Sequence, residues 1–177
     1  MITLELPAPV METKRLQLRQ LVPADATFML QLLNEPSWLR WIGDRGVRTL
    51  AGEREYIRNG PQASYQQHGF GFYLVTRRAD QASLGICGLG KREFLPAADL
   101  GFAFFPEYWG AGYALEAAQA TIQFARSHLV LPELAAITDP ENEASQRLLR
   151  KLGFVESGNV TYPDDDFLLR LWSLALA

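Results

Sequence analysis

Phe105-Pro106-Glu107-Tyr108-Trp109-Gly110-Ala111-Gly112-Tyr113-Ala114-Leu115-Glu116 joins two segments of different periodicity. Upstream, Leu100 to Phe105 is an apolar run of strand length. Downstream, Leu115, Ala118, Ile122, Ala125 and Leu129 form one stripe at helical spacing, which predicts an amphipathic helix from Gly112 to about His128. A strand therefore passes through a glycine turn into a helix. Small residues there let the main chain approach a ligand closely. The helix start adds free N–H groups and the positive end of its dipole. Such a junction suits an anion, phosphate above all. Two nucleotide motifs fail on residues. Leu115 holds the last glycine position of Gly-x-Gly-x-x-Gly, and Gly-x-x-x-x-Gly-Lys-Ser/Thr occurs nowhere in the chain.

About thirty residues on lies Asp139-Pro140-Glu141-Asn142-Glu143-Ala144-Ser145, closing at Lys151-Leu152-Gly153-Phe154. Asn142 suits a helix cap, and its amide could equally bond a cofactor amide. Ser145 follows near one helical turn later and can face the same side, or bond only backbone. Gly153 suits the C-terminal end of that helix, with Phe154 entering the core.

Working outward, Arg15 to Leu21 alternates apolar and polar residues as a half-buried strand does, and Met1 to Met11 ahead of it reads as a loose leader. Pro23 and Asp25 open a helix that Asn34-Glu35-Pro36 ends. Trp38, Trp41 and Ile42 fall in a connector closed by Gly43. Leu50 to about Gln67 predicts one or two helices, interrupted near Gly60-Pro61. Phe70 to Thr76, Leu84 to Phe94 and Leu100 to Phe105 predict an antiparallel meander with a hairpin tip at Arg77 to Asp80. Leu134 to Thr138 is a short buried strand, reached by a crossover helix and so parallel to the preceding strand. Phe154 to Val160 and Phe167 to Leu176 close the chain. The expected fold is α/β (α+β), one domain over residues 1–177. Its mixed sheet has about six to seven strands, flanked by about four helices on both faces.

The 177 residues are 48% hydrophobic and 21% charged, which suits one soluble globular domain with a sizeable core. A net charge of −3 and a pI near 5.4 argue against non-specific nucleic-acid binding. The single cysteine, Cys87, allows no internal disulfide and reads as a buried strand residue. His68 and His128 lack ligand-like spacing, so no metal site is expected. Neither a signal peptide nor a membrane-spanning apolar run is evident, and the expected location is cytoplasmic.

Pro-Glu-Tyr-Trp-Gly-x-Gly-Tyr-Ala-x-Glu-Ala, then Asp-Pro-Glu-Asn-x-x-Ser and Lys-Leu-Gly-Phe, resembles the RimJ/RimL-like branch of the GNAT N-acetyltransferase superfamily. The opening Glu12 to Arg19 is similar to that branch's first strand, and the resemblance covers about residues 12 to 160. Trp109 to Ala114 matches the superfamily pattern Q/R-x-x-G-x-G/A except for Trp at the first place. The resemblance implies a GNAT acyl-CoA N-acyltransferase fold whose two central parallel strands splay apart to admit acetyl-CoA. The pantetheine arm would lie along the edge of Phe102, Ala103, Phe104 and Phe105. The pyrophosphate would sit on Trp109, Gly110, Ala111, Gly112, Tyr113 and Ala114, with Asn142 and Ser145 also on the cofactor. The strand backbone would polarise the thioester carbonyl.

The implied chemistry is direct attack of a neutral amine on the thioester, without an acyl-enzyme. A base must then take the ammonium proton and an acid must protonate the thiolate, each worth roughly 10²–10⁴-fold. Many members carry a tyrosine acid where this chain has Leu149, and Ser145 is the substitute that the branch suggests. Asp99, just before the cofactor-edge strand, is the candidate base. Glu93 and Glu107 are rivals, and each of the three reads by itself as a solvated surface carboxylate. Trp38, Trp41, Tyr65, Phe72 and Tyr162 are candidate walls of an acceptor pocket, or core packing. The partners implied are acetyl-CoA and an amine, most directly a protein N-terminal amine, with small amines (amino acid, polyamine, aminoglycoside) as the alternative. No nucleic acid and no membrane are expected, and a homodimer follows by analogy only. A non-catalytic acyl-CoA-binding module is the rival from another class.

Overall fold

Leu16 and Leu18 alternate with Gln17 and Arg19, and this period places both leucines in the core at 0% exposure. They belong to a computed structural model that describes residues 5–177. Its elements run β1 (Pro9–Glu12), β2 (Leu16–Gln20), α1 (Ala26–Leu33), α2 (Pro36–Trp41), α3 (Leu50–Ile57), α4 (Ala63–His68), β3 (Phe72–Arg77), β4 (Ser83–Gly90), β5 (Asp99–Phe104), α5 (Tyr113–Ser127), β6 (Glu133–Thr138), α6 (Glu143–Lys151), β7 (Val155–Thr161) and β8 (Leu168–Ala175). All eight strands share one mixed sheet, ordered β1-β2-β3-β4-β5-β6-β8-β7. Helices cover both faces. On one, Ala117, Ala118, Ile122 and Ala125 of α5 and Leu149 of α6 pack on Leu16, Val75, Leu89 and Trp172. On the other, Met29, Leu32, Trp38 and Ile57 of α1 to α3 pack on Leu21, Leu74 and Ile86.

The one parallel pairing, β5 with β6, holds at a single register point, Asp99 opposite Ala135. There the Ala135 N–H donates to the Ala98 carbonyl at 2.9 Å. β5 stays paired with β4 from Asp99 to Phe104, and β6 with β8 from Glu133 to Thr138. Each strand is thus held by its outer neighbour while the inner edges part. The gap opens toward the C-terminal ends of both strands.

Three expectations need correction. Pro9–Glu12, read as part of a loose leader, is an edge strand that pairs Met11 with Leu18 and buries Met11. Pro9 is tolerated because it opens an edge strand, where a missing N–H breaks no ladder. Residues 1–4 of that leader lie outside the described part. The Trp38–Trp41 connector is the helix α2. Pro36 was read as a stop, but it occupies the helix first turn, where proline suits the backbone, and the Glu35 side chain accepts from the Ser37 N–H at 2.7 Å. Asp99 is no solvated carboxylate, since it is 2% exposed. Cys87 is buried, as its type suggests. Its thiol is pushed up to about 12 by burial, so it is no thiolate at neutral pH.

Candidate active site

Among the described residues, the open gap leaves one edge of β5 without a strand partner. Phe105 N–H donates to Leu84 carbonyl at 3.1 Å. Antiparallel alternation then directs the main chain of Asp99, Gly101 and Ala103 to β4 as well. The peptide groups of Leu100, Phe102 and Phe104 therefore face the gap. Phe104 carbonyl is closed by the indole N–H of Trp109 at 2.9 Å, while the others past the Asp99 point meet no strand. This is an edge onto which an amide-bearing chain can add as a further strand.

At the end of β5 the chain enters the glycine turn. Gly110 and Gly112 both hold positive φ, +77° and +81°, where side-chain-bearing residues are strained. Helix α5 begins at Tyr113 with no side chain capping it, and its first helical bond is Glu116 N–H to Gly112 carbonyl. The three N–H groups ahead of Glu116 lack intrahelical acceptors and are available to an anion. Arg15 fixes the turn. Its Nη1 donates to Ala111 carbonyl at 2.9 Å and its Nε to Glu116 at 2.7 Å. Tyr113 lies under the Arg15 guanidinium and accepts from Arg77 Nη1 at 3.3 Å. Free edge and uncapped turn, side by side, fit the amide-rich arm and pyrophosphate of an acyl-CoA.

Helix α6 forms the facing wall. Asn142 Oδ1 accepts from Ser145 N–H at 3.2 Å and so caps α6. Buried Gln146 ties the helix to the preceding loop through Asp139 and Pro140 carbonyls. This leaves the half-buried Ser145 hydroxyl toward the cavity, next to Leu149. The cavity holds about 1270 Å³, more than the roughly 300–1,000 Å³ of a single small-ligand site, and so has room for donor and acceptor together. It brings together Phe102, Ala103, Phe104, Trp109, Gly110, Gly112, Tyr113, Ala114, Asn142, Ser145 and Asp99, and also Trp38, Trp41, Phe72 and Tyr162. Ala111 and Phe105 lie outside its lining. Tyr65 does not line it either, since its hydroxyl bonds Phe72 carbonyl and accepts from Leu21 N–H.

Asp99 sits where the strands part. Its Oδ1 is buried without a hydrogen-bond partner and its Oδ2 lies 3.5 Å from Arg92 Nε. Burial raises its proton affinity, while the Arg92 charge pulls the other way. Glu93 and Glu107 are exposed and stand outside the cavity. Arg92 Nη1 donates to Tyr162 hydroxyl at 3.0 Å, which ties the β7–β8 hairpin to this end. Gly101 is required here, because a Cβ would come within 2.7 Å of the Phe72 ring. Sequence reasoning passed over Glu53 of α3, which is 0% exposed with neither carboxylate oxygen partnered. Burial pushes it up to about 7. Glu53-Arg54-Glu55 looks like a solvated helix face, and only its spacing of four from Ile57 hinted otherwise.

A mixed sheet with a splayed parallel pair, a main-chain edge beside an uncapped glycine turn, and a carboxylate and a hydroxyl in one cavity define an acyl-CoA-dependent acyltransferase. The sequence profile of the acetyltransferase (GNAT) domain matches residues 15–155, and the chain belongs to that family. It is similar to the uncharacterized N-acetyltransferase YoaA of Bacillus subtilis, at 26% identity over 85% of each chain. Its fold is similar to an acetyltransferase from Agrobacterium tumefaciens (TM-score 0.78, 23% identity, 98% of each chain). It is likewise similar to RimL, a ribosomal L7/L12 alpha-N-protein acetyltransferase in complex with coenzyme A (TM-score 0.79, 17% identity, 97% of this chain and 98% of that one). These likenesses show the fold, and the family shows an acetyltransferase that draws on a CoA donor. Among the described residues no helix is long and apolar enough to cross a membrane, and no cluster of acidic, histidine or cysteine residues could hold a metal ion.

Proposed function

We propose that the protein transfers acetyl from acetyl-CoA to a primary amine by direct attack in a ternary complex, the acceptor being the α-amine of a protein N-terminus. One observation carries the reading. Asp99 lines the cavity at the point where β5 and β6 part, beside the free β5 edge, and its Oδ1 is buried against Gly90 without a hydrogen-bond partner. Peptide groups of Leu100, Phe102 and Phe104 would hold the donor arm, and one N–H among them would polarise the thioester carbonyl. Asp99 Oδ1 would accept the ammonium proton, directly or through water. Its raised proton affinity brings it nearer to that of an α-amine, near 8, than an exposed carboxylate would be. Ser145 would deliver a proton to the departing thiolate from the α6 wall. Cys87 takes no part, because it is buried and protonated. The likeness to RimL supports an α-amine on a protein. The test is thiol release from acetyl-CoA across peptide N-termini and small amines. Steady release with peptides supports the reading. Release with side-chain or small-molecule amines only overturns the N-terminal acceptor, and no release with any amine overturns the reaction.

A further inference from the structure

The acceptor end of the cavity is cationic, although the chain as a whole carries −3. Arg45, Lys91 and Arg92 all line it, from two separate segments, the loop between α2 and α3 and the loop after β4. Among the described residues neither Arg45 nor Lys91 forms an ion pair. Arg92 meets Asp99 through Nε and Tyr162 through Nη1, which leaves Nη2 unbonded. Tyr56 lines the same cavity, and the charges of Arg45, of the buried Glu53 and of Arg92 all reach its hydroxyl. Asp99 is the carboxylate that lines this end, while Glu53 lies buried behind Tyr56 and outside the lining. The acidic residues Asp139, Glu141 and Glu143 lie on the α6 wall instead, and Glu141 already pairs with Arg40 at 3.8 Å.

One lining carboxylate against three lining cations does not suit a polyamine, whose further ammonium groups would meet like charge. It suits a ligand that offers one amine to Asp99 and an anion to the arginines. Arg92 Nε lies 3.5 Å from Asp99, so an anion on the same guanidinium falls within a few bonds of the reacting nitrogen. Resting on the proposed reaction, we infer that the acceptor carries a carboxylate close to its amine, bound by Arg92 and Arg45 with Lys91 at the rim. Two sources share that chemistry, the α-carboxylate of a free amino acid and an acidic side chain at the second residue of a peptide.

Binding of acetylated products to the CoA-loaded protein tests this without turnover. The probes for calorimetric titration are N-acetylalanine with N-acetylalaninamide, and N-acetyl-alanyl-aspartic amide with its asparagine counterpart. At least one carboxylate probe is expected to bind about tenfold or more tightly than its neutral partner, as one charge-assisted contact provides. Raising salt should narrow that ratio. Arg45→Gln with Lys91→Gln should also narrow it, and both positions are exposed, so the fold is not at risk. If the first pair separates more, the anion is an amino acid's own carboxylate. If the second does, it is the following side chain. Equal affinities within both pairs, or tighter binding of N-acetylspermidine, overturn the inference. Thiol release is a separate readout, so loss of the proposed reaction and loss of the anion site are distinguishable.

Discussion

Glu53→Gln should stabilise the protein at alkaline pH and leave it nearly unchanged at acid pH. In the folded chain Glu53 is 0% exposed and its oxygens meet no donor. Burial alone raises it from 4.5 to about 7. Between those values the folded state keeps a proton that the unfolded state has lost. Stability therefore falls as pH rises through this window and levels off above about 7. At about 1.4 kcal/mol for each tenfold change in proton affinity, the ionised carboxylate costs up to about 3 kcal/mol at pH 8. Glutamine keeps the shape and never ionises. At pH 4 and below Glu53 is protonated in the folded state and mostly protonated in the unfolded one, so the costs of the two neutral, unpartnered side chains nearly cancel. At pH 8 the variant should gain about 2–3 kcal/mol, or roughly 5–10 °C in Tm for a chain of this length. Urea unfolding of both proteins from pH 4 to pH 8 measures it, since the difference between the curves removes every other titrating group. Parallel curves, or a variant less stable at pH 8, would refute the reasoning.

Gly112→Val places a branched side chain at φ +81° and 3.4 Å from Arg15 Nη2, so it should cost about 1–2 kcal/mol in stability and weaken CoA binding at least tenfold. Undiminished CoA affinity in the folded variant, by calorimetry, would reject the turn as the anion cradle. Ser145→Ala should lower turnover by roughly 10²-fold or more with little change in CoA affinity. Turnover at the parent rate would remove Ser145 as proton donor. Asp99→Asn should lower turnover by a similar roughly 10²-fold and remove the acid limb of the pH–rate profile. Arg92→Gln removes the charge that favours ionised Asp99, so its acid limb should move to higher pH. Profiles of thiol release that coincide with the parent's would reject the coupling.

Local signals were readable from the chain alone. The α5 stripe, the glycine turn and the Asn142 cap each depend on residues a few positions apart, and each stands where its pattern placed it. Pro36 misled because proline both ends one helix and opens the next, and only packing of Trp38 against Ile57 and Leu74 shows which. The splay was an implication of family likeness, because it arises from the registers of four strands and not from β5 or β6 alone. Burial of Asp99 was hidden for the same reason. Ala97-Ala98-Asp99-Leu100 marks a strand start, but nothing in it shows that the loop before it folds Arg92 back onto Asp99 or that Tyr162, from the distant β7–β8 hairpin, holds that arginine in place.

The covering of Asp99 also bears on how a carboxylate can serve here at all. Burial and Arg92 act on it in opposite directions, burial being the larger effect. Burial alone pushes Asp99 toward its protonated form, which cannot take the ammonium proton. Held by a fully engaged arginine, it would be too weak a base for an ammonium. The ion pair is a long one, 3.5 Å through Nε, so Arg92 keeps the group ionisable without neutralising it closely. An acceptor anion on the free Nη2 would draw the arginine's charge away from Asp99 as the ammonium arrives. The carboxylate would then gain proton affinity in the loaded site and lose it when the acceptor leaves. With the proposed roles, Arg92 would both recognise the acceptor and set the strength of the base from its place between Asp99 and Tyr162.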